Sequence, residues 1–537
     1  MSRYYMGIDV GTASARAGVF DASGKLLGTA KKDFTVHHGP GSMVEESSAE
    51  IWQAVSAASR GAVREAGVTP AEIVGIGFDA TCSLVVLGEG GVPLPIGPSE
   101  DPNRNVIVWM DHRAIDQAER INATGHRVLD YVGGKISPEM ETPKLLWLLE
   151  NRPAIFEAAW RFFDLTDYLT WRSTGSEARS ICTVTCKWTY MGHEGCWDES
   201  YFRKVGLGAL ADEGFARIGT EVVNPGTALG QGLTEAAAAD LGLAPGTRVA
   251  AGLIDAHAGG VGTVGAEGGG GPKDSLAYVF GTSSCTMTTT TDPVFVPGVW
   301  GPYFSAMVPG AWLIEGGQSA AGAAIDQLLR FHPAATEAAE AAKAAGMALP
   351  VWLAERATAL AGSAAAAAQI ADGMHVVPEF IGNRAPFADP HTRAVIAGLG
   401  MESDLDDLAR LYVAGICGLG YGLRQIIETQ AANGAAIGTI VISGGAGRSD
   451  LVRQLLADAT GVPVAAPTTE EPVLLGSAIL GALAAGDFAD MTAGMAAMSS
   501  YASRYDPAGG ESRAFHDRRF DLFGKFQALA REAAVRG

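Results

Sequence analysis

Two stretches of the chain alternate apolar strand, glycine turn and returning strand in nearly the same way. In the first, Tyr4-Tyr5-Met6-Gly7-Ile8 runs apolar into Asp9, Val10-Gly11-Thr12-Ala13-Ser14 turns, and Ala15 to Phe20 returns, which reads as a hairpin. In the second, Leu276 to Phe280, Gly281-Thr282-Ser283-Ser284 and Cys285 to Thr290 repeat that order about half a chain later. Such a repeat predicts a duplicated fold with two turns facing each other across a cleft. After the first hairpin come a turn at 21–25, a third strand from Leu26 to Phe34, helical spacing from Ser48 to Ala66, and a buried strand from Ile73 to Phe78 that ends at Asp79-Ala80-Thr81. A three-strand meander followed by helix and strand predicts an α/β layer. It is not a dinucleotide-binding unit, whose first strand leads straight into a helix.

Further on, Val106 to Met110 reads as a strand delivering Asp111, Pro143 to Asn151 as an amphipathic helix, and Phe162 to Leu169 as the start of another helix. The Thr/Cys-rich run from Arg179 to Tyr190 reads as strand and brings Lys187 among Cys186, Trp188 and Tyr190. Arg248 to Ile254 is a strand reaching Asp255-Ala256-His257-Ala258-Gly259, and Ala266 to Lys273, with four consecutive glycines, is the best candidate for a hinge between domains 1–265 and 266–537. Trp312 to Ser319 is a strand and turn leading into a helix from Ala320 to Leu329, and the alanine-rich region from Ala334 to Ala371 is helix-forming. Thr439 to Ser443 runs through Gly444-Gly445-Ala446-Gly447 into a helix at Leu451, while Val473 to Ala485 reads as a buried, closely packed helix.

Composition narrows the function classes. The 537 residues suffice for at least two cores, and 47% hydrophobic with 18% charged residues describes a globular chain. A net charge of −20 with no basic run speaks against nucleic acid and anionic membrane as partners. The longest apolar stretch falls short of the roughly 20 residues that cross a bilayer. Six cysteines form no disulfide framework, and Met1-Ser2-Arg3 leads directly into a strand, so a cytoplasmic setting is expected. Oligomeric state is open, a homodimer included.

The chemistry gathers at the turns. Gly11 lets the backbone approach an anion, Thr12 and Ser14 supply donors, Arg16 can aim a cation there, and Asp9 at a strand end is placed to hold Mg²⁺. An ordinary glycine hairpin would look the same. Asp79 serves equally as a turn residue, and Asp255 reads either as an N-cap or, beside small residues that leave room for a ligand, as a general base. Cys182, Cys186 and Cys196 with His193 lack a CxxC pair, which argues against zinc. Gly317-Gln318-Ser319-Ala320-Ala321 lacks the closing glycine of a nucleophile elbow, and no Walker A loop or GxGxxG fingerprint occurs.

Taken together, Asp9-Val10-Gly11-Thr12, Lys144 to Asn151, Asp255 to Gly259, Gly281-Thr282-Ser283, Gly316 to Ser319 and Ser443 to Ala446 come in one order over nearly the whole chain. This set resembles the FGGY family of carbohydrate kinases, whose fold is the two-domain ribonuclease-H-like architecture shared with actin and the Hsp70 ATPase domain. Gly420-Tyr421 matches the end of the eponymous motif, with Gly418 where that motif has Phe. Residues 77–83, 108–114, 186–188 and 380–386 are most similar to pentulose kinases, D-ribulokinases in particular; a glycerol kinase would carry an Arg-Glu pair at Asp79-Ala80-Thr81.

The resemblance implies ATP-dependent phosphorylation of the terminal hydroxyl of a ketopentose, D-ribulose first, with Asp255 as base and Mg²⁺ near Asp9. It implies a sugar pocket of Asp79, Ala80, Asp111, Lys187, Asp255 and Glu315. Phosphates would meet Gly11, Thr12, Ser14, Arg16, Gly281, Thr282 and Ser283, and the adenosine Gly444, Gly445, Ala446 and Asp450, with Gln318 and Asn383 nearby. Rival readings are a kinase for L-ribulose, xylulose or ribitol, and a nonenzymatic ATPase module of the same fold.

Overall fold

Both expected hairpins form, and each is the centre of a mixed sheet. The structure, a computed structural model, describes residues 2–536. In the first sheet the strands run in the order Arg248–Val249, Ile73–Ala80, Tyr4–Val10, Ser14–Phe20, Leu26–Asp33, with Leu253–Ile254 also paired to Ile73–Ala80. The second runs Val464–Pro467, Thr439–Ser443, Ser275–Phe280, Ser284–Thr290, Trp312–Gln318, extended by Tyr501–Tyr505 at one edge and Trp300–Phe304 at the other. In both, an antiparallel hairpin has a parallel strand on its far side, reached by a crossover that covers the sheet with helix. The duplicated α/β fold is therefore present.

Local chemistry sets the helix ends. Ser47 accepts the Glu50 N–H at the start of Ser48–Ala66, and Gly67 closes that helix in the left-handed region at φ 67°. Four expectations are corrected. Phe162 and Phe163 belong to the strand Arg161–Asp164, paired with Leu84–Leu87, because the Asp164 carboxylate caps Thr166 and starts the helix only at Leu165. The Thr/Cys-rich run is the helix Ile181–Lys187 rather than a strand: Ser180 caps the Cys182 N–H, and all seven residues are buried, so packing overrides the β-propensity of its threonines and valine. The strand expected over Val106 to Met110 is reduced to Val106–Ile107. Beyond the second hairpin, the helix Gly322–Arg330 begins two residues later than expected, since the Ala321 and Ala323 N–H groups donate to the Thr282 carbonyl and the Gly322 N–H to Gly281.

The expected hinge, Ala266 to Lys273, is a run of turns with positive φ at Gly268, Gly270 and Gly271. What joins the two sheets is the helix Pro472–Ala484. It follows the second-sheet strand Val464–Pro467 in the chain yet lies on the first sheet, backbone against backbone. A Cβ on Gly7 would stand 1.9 Å from the Leu474 carbonyl oxygen, on Gly77 2.1 Å from that of Ser477, and on Gly476 1.9 Å from that of Ala258. Small residues on both partners thus set the distance between helix and sheet. In the long helix Leu405–Ala432, Gly418 faces the Val376 carbonyl at 2.3 Å from a would-be Cβ, which accounts for glycine where the family motif has Phe. Among the described residues no helix is long and apolar enough to cross a membrane.

Gly77→Ala should therefore cost about 1–3 kcal/mol or more through overpacking, read as a lowered urea midpoint. Gly524→Ala, on a surface with nothing within 4 Å of the new methyl group, should be neutral or stabilising; equal losses in the two variants would contradict the close-approach account.

Candidate active site

Three strands of the first sheet end side by side, and each end carries a carboxylate. Asp9 and Asp79 are register partners across parallel strands, and Asp255 directly follows Leu253–Ile254, whose residues pair with Asp79 and Ala80. Asp255 opens the helix Asp255–Val261, with Ile254 as its N-cap, so the N-cap reading falls away. Carboxyl ends of strands at a change of connection are where open α/β sheets bind ligands.

Like charges dominate this corner. Asp79 is fully buried; its Oδ2 accepts from Ser477 Oγ at 2.6 Å, and its Oδ1 is buried without a partner. Burial and then the neighbouring Asp9 push its pKa well above the ordinary carboxylate value. Burial, followed by Asp9, also raises Asp255 to about 7, opposed by the Ala256 N–H, His257 and Lys187. Arg16 offsets part of the charge, but it does not stand free for a phosphate: its Nε donates to Asp9 at 2.8 Å and its Nη1 to Glu471 at 2.7 Å. The orphaned Asp79 oxygen and the crowded carboxylates fit a divalent cation. Asp9, Asp79 and Asp255 do not converge into a three-ligand cage, which suits Mg²⁺, an ion bound through one or two carboxylates, water and phosphate.

Beside Asp255 rises a wall of alternating charge. Lys187 is buried with its Nζ 5.4 Å from the centre of the Trp300 ring, and Arg384 approaches the same ring at 5.8 Å. Burial works against the Lys187 charge, but the surrounding groups, Glu315 among them, more than offset it. Glu315, the register partner of Trp300, accepts from Cys285 Sγ and lies 3.6 Å from His257 Nε2. Its pKa is held down to about 2: burial opposes this, and the neighbouring His257 and the charge of Lys187 prevail. His257 Nδ1 in turn meets Cys182 Sγ at 3.1 Å, and the imidazole is raised to about 10 against the effect of burial. Lys187, Glu315 and Asp255 are thus brought together, with Ala80 fully buried at the adjoining strand end. Asp111 is differently occupied, since Val44 and Arg113 donate to both its oxygens.

The two turns close alike. Gly11 N–H bonds to the Ser14 carbonyl and Gly281 N–H to that of Ser283, closing equivalent loops, and Thr12 Oγ1 accepts from Trp109 Nε1. Gly281, Thr282 and Gly445 line a cavity of about 420 Å³ with Tyr412, Ile416 and Arg448. A second cavity of about 460 Å³ shares Gly445 and Arg448 and extends past Gly444 to Arg16 and Glu471. The second cavity takes lining groups from both sheets, Arg16 from the first and Val279 and Ile442 from the second. Asp450, expected to hold the adenosine, and Gln318 and Asn383, expected nearby, line neither of these cavities. Gln318 is bound to Tyr278, Ser284 and Leu419, and Asn383 to Glu379 and Phe387, both at a separate cavity of about 20 Å³; Asp450 is engaged by Tyr505 and Arg453 outside the two larger cavities. Ala446 sits in the one-turn helix Gly445–Gly447, its side chain outside the described part.

Sequence reading missed Glu471, Ser477, Trp300 and Arg448. Glu471 precedes the proline that opens the helix Pro472–Ala484, and Ser477 interrupts its apolar run, which are the only local signals either gives.

Residues 4–262 match the N-terminal domain of the FGGY family of carbohydrate kinases and residues 276–485 its C-terminal domain. The chain belongs to that family. It is 45% identical over 532 residues to a human FGGY carbohydrate kinase domain-containing protein, covering 97% of this chain and 96% of the relative. It is 39% identical over 518 residues to a D-ribulokinase of Saccharomyces cerevisiae, covering 91% and 72%. The fold is that of a xylulose kinase from Lactobacillus acidophilus (TM-score 0.79, 19% identity, 99% of each chain) and of Plasmodium falciparum glycerol kinase with ADP (TM-score 0.80, 14%, 98% of each). As an FGGY carbohydrate kinase the protein is a phosphotransferase, and the nonenzymatic alternative is set aside.

Folding raises the Asp255 pKa from 3.8 to about 7, so the folded state favours its protonated form. The resulting penalty is absent below about pH 4, grows as pH rises and is complete above about pH 7. In the absence of Mg²⁺ and nucleotide, Asp255→Asn should therefore be more stable than the parent at pH 8 by roughly 1–4 kcal/mol, and no different near pH 4. Denaturation at the two pH values checks this, and equal stability at pH 8 would remove the strained carboxylate.

Proposed function

We propose that this FGGY kinase transfers the terminal phosphoryl group of ATP to the terminal hydroxyl of a ketopentose, D-ribulose in first place, to give D-ribulose 5-phosphate and ADP. The observation that carries the reading is Asp255: a carboxylate raised to about 7, at a strand end between the Asp9 corner and the Lys187–Glu315 wall. Identity to the yeast D-ribulokinase, and 30% identity over 523 residues to a ribulokinase of Mycolicibacterium smegmatis, support the sugar class.

In this reading the sugar lies against Trp300, with Lys187 and Glu315 bonding its hydroxyls, which are costly to leave unpaired. Asp255 receives the hydroxyl proton as the new O–P bond forms and the bond to the ADP oxygen breaks. Backbone and hydroxyl donors of Gly11 to Ser14 and of Gly281 to Ser283 would meet the phosphates, and Gly281, Thr282 and Arg448 line the cavity that would take the nucleotide. Asp9, held by Arg16, would carry Mg²⁺, which neutralises charge on the transferring group. Domains 1–265 and 266–537 would close about the segment Ala266 to Lys273, excluding water as a competing acceptor.

With a panel of ketopentoses and pentitols, ADP should appear one-for-one with sugar phosphate and kcat/KM should be highest for D-ribulose. A preference for L-ribulose, xylulose or ribitol would overturn the substrate, and ADP release indifferent to sugar would overturn the transfer. Asp255→Asn should lower kcat about 10²–10⁴-fold while ATP affinity stays within a few-fold; retention of most turnover removes Asp255 from the base role.

A further inference from the structure

Behind the sugar wall lies a cluster that phosphoryl transfer does not use. Cys182 and Cys186, one turn apart on the helix Ile181–Lys187, meet His257 from the helix Asp255–Val261; their ligand atoms all lie within 4.8 Å of one another, and all three residues are buried. We infer that Cys182, Cys186 and His257 form a site for one thiophilic divalent cation of the Zn²⁺ class, which ties together the helices that present Lys187 and Asp255.

The geometry fits such an ion. Bonds of about 2.3 Å to sulfur and 2.0 Å to nitrogen ask for donors roughly 3.3–3.8 Å apart around a tetrahedral centre. Cys182 Sγ and His257 Nδ1 stand at 3.1 Å, so small side-chain rotations open the required space. A spacing of i, i+4 keeps both thiols on one helix face. The outer groups are also those of a metal site. The Ile254 N–H donates to Cys182 Sγ at 3.4 Å, supporting a thiolate. The far nitrogen of His257 faces the Glu315 carboxylate at 3.6 Å, the arrangement that orients a metal-bound imidazole and fixes its tautomer. Three ligands leave a fourth position for water. His193 and Cys196, the partners considered from sequence spacing, lie outside this group. The inference is independent of which sugar the kinase accepts.

Full-length reduced protein, incubated with Zn²⁺ without sugar or nucleotide and then desalted, should retain close to one ion per chain by elemental analysis. X-ray absorption at the zinc edge should give two sulfur neighbours at about 2.3 Å and nitrogen or oxygen neighbours at about 2.0 Å. This measurement needs no variant. Co²⁺ should give the visible spectrum of a tetrahedral site with sulfur-to-metal charge transfer. Cys186→Ser should abolish retention, Glu315→Gln should weaken it about 10–100-fold, and Cys196→Ser, on an exposed residue, should leave it unchanged. Failure of the parent protein to retain zinc, a coordination shell without sulfur, or loss of the ion in Cys196→Ser overturns the inference.

Discussion

The architecture depends on one close approach. The helix Pro472–Ala484 lies so near the first sheet that its carbonyl oxygens occupy space a methyl group on the sheet would need, at Gly7, Gly75 and Gly77. Dispersion and apolar burial fall off steeply with separation, so a seam of glycine, alanine and serine holds two sheets more tightly than larger side chains could. It also has a chemical effect. The residue before this helix, Glu471, binds Arg16, and its Ser477 donates to Asp79. The second half of the chain therefore completes the charge pattern of a site whose carboxylates come from the first.

That pattern is costly. Asp9, Asp79 and Asp255 stand at neighbouring strand ends with Arg16 paired to Asp9, and burial, followed by the charge of Asp9, raises the proton affinity of Asp79 and Asp255. A group that must take a proton near neutral pH benefits from such crowding. A few ångströms away the order is reversed. Lys187 and Glu315 are opposite in sign, so the wall offers a donor and an acceptor without large net charge, as an uncharged polyol requires. An acidic protein can in this way bind an anionic nucleotide, because backbone donors and a few arginines act locally whatever the overall balance.

Much of this was legible in the residue pattern. Strand, glycine turn and return strand are local events whose signals lie within a few positions, so both hairpins, the buried strand to Asp79 and the apolar helix near the C-terminus could be read directly. The repeat of one pattern half a chain apart disclosed the duplication, and motif order disclosed the family. Propensity failed where burial or capping competed with it: threonine and cysteine in Ile181–Lys187 are drawn into a helix by a serine cap and a fully buried setting.

What the chain by itself determined is the set of local elements and the identity of the residues at strand ends, because both follow from side-chain periodicity and turn chemistry. Only the tertiary structure decided which of those residues share a site and in what ionisation state. Arg16 is claimed by two carboxylates, Gln318 and Asn383 are spent on other hydrogen bonds, and His257 rather than His193 joins the thiols. The reason is physical: desolvation, hydrogen-bond occupancy and charge coupling depend on distances between groups far apart in sequence, which packing alone brings within a few ångströms.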